Sequence, residues 1–122
     1  MENKKSLQEV IVDILLRIGI PISIIGSTYI VEAVKLGIEK PSILSSITKE
    51  LYPTIAKLFN TKTANVERAI RHAIDVSWSK ERIVILNEIF GLEIYMKFEK
   101  PCNSEFIALL SEKIPYLISK SA

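Results

Sequence analysis

A single cysteine, Cys102, and a single histidine, His72, are the scarcest reactive side chains among the 122 residues. One cysteine can form neither an intramolecular disulfide nor a cysteine-cluster metal site, which suits a reducing compartment. With one histidine, no glycine-rich phosphate loop and no cluster of metal-ligand types, the common catalytic constellations are missing. No enzyme, cofactor or metal is therefore expected. No apolar run reaches the roughly eighteen residues that read as a membrane span, and the N-terminal MENKKS lacks a signal peptide's apolar core. The expectation is a soluble, cytoplasmic chain with no membrane partner. Internal repeats and low-complexity linkers are also lacking, and the chain begins at Met1 as a complete small protein would.

What is present points to a globular domain. Apolar residues make up 48% and charged residues 25%, so the chain can bury a core without metal or disulfide staples, and residues 1–122 read as one domain. The net charge of +2 says little about partners, but its distribution says more. Residues 41–82 hold seven Lys or Arg against four Asp or Glu, a local +3 that leaves −1 elsewhere. An excess of that kind suits contact with phosphates.

The apolar spacing predicts an all-α, compact bundle of about six to seven helices containing a helix-turn-helix at about 53–78. Ser6 and Glu9 match a capping box, and Leu7, Val10, Ile11, Ile14, Leu15 and Ile18 keep helical spacing up to Gly19. Residues 21–26, PISIIG, read as a buried connection, after which Ser27 caps a helix stopped by Gly37. A third helix from Pro41 packs Ile43, Leu44, Ile47 and Leu51, and Pro53 interrupts it by barring Tyr52 from easy helical geometry. A helix over about 82–90 is closed by Gly91. Residues 92–99 alternate apolar and polar, predicting an extended packing segment or a short edge strand. Asn103 caps a last helix with Phe106, Ile107, Leu109, Leu110 and Ile114 on one face, ended by Pro115.

The segment 45–79 organises the rest. Pro53 opens a short helix with Ile55, Ala56 and Phe59 inward, and Asn60, Thr61 and Lys62 supply a tight turn. In the helix expected over 63–78, Val66, Ala69, Ile70, Ala73 and Ile74 share one side at about 100° per residue. Asn65, Arg68, Arg71, His72 and Asp75 share the other. That is a packed side and a reading side, as in a helix placed in a DNA major groove.

Arg68 and Arg71 are helical neighbours, and an arginine fork can donate two hydrogen bonds to guanine O6 and N7. They can equally be solvated charges paired with Glu67 or Asp75. Glu67 could accept from a cytosine amino group or orient an arginine, and His72 could donate to a phosphate or a base edge. Asn65 can pair with adenine or touch a phosphate. Ser46, Thr48, Lys49, Lys57, Lys62 and Lys80 flank this helix as candidate phosphate contacts that set its register. Trp78 has no aromatic neighbour and reads as a core anchor. Cys102 has no basic activator close in sequence and reads as inert.

The blocks LYPTIAKLFNT and VERAIRHAIDVSWS closely resemble the C-terminal effector domain family of the sporulation response regulator, stage zero sporulation protein A. LRIGIP, SITKELYP and KPCNSEFIALLSEK resemble the same domain in the same order, so the likeness covers most of the chain. It implies that VERAIRH is the recognition helix, that double-stranded DNA with a TGTCGAA-like box is the target, and that RNA polymerase is a partner. It also implies a head-to-tail dimer on DNA with contacts from the C-terminal helix. Two departures stand out. Asn65 replaces an arginine of the resembling family, and the family's phospho-acceptor receiver domain has no counterpart in these residues. The alternative expectation is an interaction protein that antagonises the full-length regulator or polymerase.

Overall fold

The computed structural model describes residues 5–93 and 99–121. Its helices are α1 (Leu7–Arg17), α2 (Ile25–Glu39), α3 (Tyr52–Leu58), α4 (Thr63–Ser79), α5 (Ile85–Phe90) and α6 (Asn103–Ser121). A 3-10 turn (Pro41–Ser45) and a π-helical turn (Ile47–Leu51) join α2 to α3. Among the described residues there is no strand, and residues 94–98 of the expected extended segment lie outside them.

The helix starts follow local chemistry. At α1 the Ser6 hydroxyl accepts from the Glu9 N–H at 3.1 Å, and the Glu9 carboxylate accepts from the Ser6 N–H at 3.0 Å. At α6 the Glu105 carboxylate accepts from the Cys102 N–H at 2.9 Å. These backbone donors hold both carboxyls below their ordinary range. A carboxyl whose folded value is lowered adds stability above its unfolded value and loses it as pH falls through the folded one. Stability should therefore drop on the acid side of pH 4.5, and Glu9→Gln with Glu105→Gln should flatten that drop in denaturant midpoints measured against pH. Ser6→Ala should cost about 1 kcal/mol at neutral pH.

α2 is the central element, packed against α1, α4 and α6. Its Ile30, Ala33 and Val34 are fully buried, as the spacing predicts, and meet Phe106, Ile107, Leu110 and Ile114 of α6 in one core. α4 adds Val66, Ile70, Ala73 and Ile74, with Ala69 half-buried at the edge.

Several boundaries differ from the sequence reading. Ser27 does not cap α2: Ile24 holds the N-cap position with extended backbone, and Ser27 is buried within the first turn. Gly37 does not stop that helix either. A Cβ there would lie 2.3 Å from Ser111 Oγ, so the glycine serves close packing against α6, not termination. The PISIIG connection is not buried, since Ile22 and Ile25 are 61% and 54% exposed and the link runs over the surface. Pro53 does not bar Tyr52 from helical geometry, for Tyr52 has φ −60° and ψ −45°. The π turn, in which Leu51 N–H reaches the Ser46 carbonyl at 3.1 Å, widens the backbone where the proline ring would otherwise meet Lys49. Asn103 is the first residue of α6 and makes no cap of its own, and Pro115 lies within α6 rather than ending it. Ile114 before Pro115 and Leu117 after it both pack on the core, which holds the helix through the break.

Candidate nucleic-acid interface

Helix α3 ends at Phe59, whose ring sits 5.3 Å from that of Tyr29 on α2. Asn60 then adopts a left-handed conformation, φ 52°, that turns the chain sharply. Lys62, with extended backbone, is the N-cap of α4. The order helix, turn, helix thus follows from one asparagine and one aromatic anchor. Trp78 and Phe59 are both half-buried against the core.

α4 is held on two sides. Gly26 of α2 lies under Ala69, so close that a Cβ on Gly26 would be 2.1 Å from the Ala69 carbonyl oxygen. From the α6 side, the Asn103 amide donates to the Glu67 carbonyl at 3.0 Å and to the Tyr52 hydroxyl at 3.1 Å. One side chain therefore ties α3, α4 and α6 together. Burial raises the Tyr52 hydroxyl above its ordinary pKa, so Tyr52 stays a neutral partner at physiological pH. Sequence reading placed Asn103 as a cap and missed this bond, because its partners lie 36 and 51 residues away.

The outer side of α4 carries Asn65, Arg68, Arg71 and His72, all exposed. Asn65 donates to the Thr61 hydroxyl at 3.1 Å. Arg71 donates to the Glu67 carboxylate at 2.6 Å, one turn back, and 54% of its side chain remains exposed. An exposed pair of this kind is worth only about 0.3–0.5 kcal/mol, so it orients the guanidinium without withdrawing it from other acceptors. Arg68 and His72 make no hydrogen bond or ion pair with other described residues. Asp75, a turn beyond Arg71, pairs with Lys100 at 2.5 Å.

The phosphate candidates divide by location. Thr48 shares a cleft of about 450 Å³ with Glu67, Arg71, Asp75, Lys100 and Ser104. Ser46, Thr48 and Lys49 line an adjoining hollow of about 430 Å³ that also reaches Ser104. Lys57 and Lys62 are exposed on α3 and at the start of α4. Lys80 sits apart from these: its ammonium donates to the Gly19 carbonyl at 2.8 Å, beside two bonds from Arg82 to the Arg17 carbonyl. At about 1.5 Å per residue, that end of α4 is roughly 25 Å from Lys62.

Among the described residues no group of three His, Cys, Asp or Glu could hold a metal ion, and no helix is long and apolar enough to cross a membrane. Two exposed arginines, aligned on a helix whose other face is locked into the core, are the arrangement to be placed among known proteins. Residues 11–114 match the family of sporulation initiation factor Spo0A C-terminal domains. The chain belongs to that family. The matched span starts within α1 and reaches Ile114 of α6, so it includes every packing partner of α4 named above. The Spo0A C-terminal family is one of DNA-binding effector domains in transcription regulation and sporulation, not a family of enzymes.

Proposed function

We propose that this member of the Spo0A C-terminal family regulates transcription by binding a TGTCGAA-like duplex site with α4 in the major groove. The observation that carries the reading is that Arg68 and Arg71 leave the same exposed side of α4. Each can form a bidentate contact with a guanine edge, while Asn65, Glu67 and His72 read or brace neighbouring positions. Asn65, uncharged, favours adenine N6 and N7 where an arginine would favour guanine. Ser46, Thr48, Lys49, Lys57 and Lys62 clamp the phosphates on either side. Lys80 would join that clamp from the far end of α4, with its ammonium also donating to the Gly19 carbonyl. By the same family likeness, the domain pairs head to tail on adjacent boxes and touches RNA polymerase.

Fluorescence anisotropy with a labelled TGTCGAA-box duplex and a scrambled duplex of equal length tests this reading. The box should bind more tightly, and three to five phosphate contacts should give a slope of log K against log salt of about −3 to −5. Equal affinity for both duplexes, with a slope near zero, would sink it.

A further inference from the structure

We propose that segment 100–104, outside the helix-turn-helix in sequence, forms a second wall of the DNA interface, in which Lys100 contacts a phosphate and Asp75 is its resting partner. This rests on the duplex-binding reading above. At about 100° per residue, Asp75 falls between Arg68 and Arg71 around the α4 axis, near the middle of the outer face. A carboxylate there would repel any phosphate that follows the arginines into place. The Lys100 ammonium lies 2.5 Å from it and cancels that charge. Both side chains stay accessible, at 44% and 43% exposure, so the pair is open to a third charged group.

The surroundings extend the same surface. Lys100, Ser104, Thr48 and Arg71 line one cleft, and Ser104 also borders the hollow of Ser46, Thr48 and Lys49. Three hydroxyls and two lysines, from segments some fifty residues apart in the sequence, therefore edge α4 on the α6 side. The Asn103 bond to the Glu67 carbonyl holds this wall at a set distance from the reading helix. The Cys102 N–H at the start of α6 is taken by Glu105. On binding, Lys100 turns from the carboxylate towards a phosphate oxygen or bridges the two.

The experiment compares Lys100→Ala, Lys100→Gln and Asp75→Asn with wild type for affinity to the box duplex across a salt series, with thermal unfolding as the control for folding. Loss of Lys100 should weaken binding about three- to tenfold and reduce the magnitude of the salt slope by about 1. Asp75→Asn should tighten binding by a similar factor. Opposite signs are the decisive feature. If Lys100 only braces α6 against α4, both substitutions break the same ion pair and both weaken binding, which overturns the proposal. Unchanged affinity and slope in the Lys100 variants overturns it as well. If wild type binds neither box nor scrambled duplex, the duplex-binding reading itself fails and this inference falls with it.

Discussion

Replacing Arg68 and Arg71 together by alanine is expected to reduce affinity for the box duplex on the order of a thousandfold, while leaving stability nearly unchanged. Each bidentate arginine contact is worth about 1–3 kcal/mol of discrimination. Two of them, at mid-range, account for about 4 kcal/mol, and every 1.4 kcal/mol is tenfold. Residual binding should approach that of a scrambled duplex, because the phosphate clamp survives. Stability should move by no more than about 0.5 kcal/mol, since both side chains are exposed and only the Arg71 pair with Glu67 is lost. Arg71→Lys separates charge from shape: it keeps the salt slope but loses the planar fork and with it sequence preference. Titration against box and scrambled duplexes, with thermal unfolding in parallel, checks all three. A double variant that still prefers the box would remove α4 from the reading role.

Gly26→Ala is the second large effect, and it acts on the fold. Its Cβ would stand 2.1 Å from the Ala69 carbonyl oxygen and 2.9 Å from the Ala73 Cβ. No rotamer change relieves a clash with backbone, so α4 must retreat from α2 by about 1 Å. Overpacking of this kind costs about 1–3 kcal/mol and occasionally more, a large part of the 5–15 kcal/mol that holds a typical domain together. A fall in Tm of about 10 °C or more is expected. Because the displaced element is the proposed reading helix, the surviving folded protein should also bind the box less tightly. Gly91→Ala is the informative contrast. Gly91 has φ 66° and a Cβ there would meet nothing within 4 Å, so its cost is conformational only, about 1 kcal/mol, with DNA affinity intact. Equal melting of Gly26→Ala and wild type would refute the close α2–α4 crossing as the support of the site.

These two predictions differ in how far the sequence foretells them. The arginines were legible because a helix face is a local property: residues three and four apart share a side whatever the rest of the chain does. The same locality made the Ser6 and Glu9 box and the inward faces of α1, α4 and α6 readable. Gly26 was not legible. Within PISIIG it looks like the end of an apolar link, and only the approach of Ala69, 43 positions later, shows that absence of a side chain is its function. Gly37 misled for the same reason, reading as a stop where it is a packing contact with Ser111. Pro115 misled in the same sense, since rules for isolated helices count the lost hydrogen bond but not the neighbouring burial that offsets it, and at Pro53 the π turn makes the room that those rules deny.

By itself the sequence determined the all-α class, the helix with two guanidinium groups on its outer side, and the family likeness, because periodicity and composition act over one or two turns. Tertiary structure alone decided which charges meet. Lys100 lies 25 residues from Asp75, and Asn103 lies 36 from Glu67 and 51 from Tyr52. Ion pairs and hydrogen bonds depend on distances of a few ångströms, and such distances between remote residues are set by how helices cross.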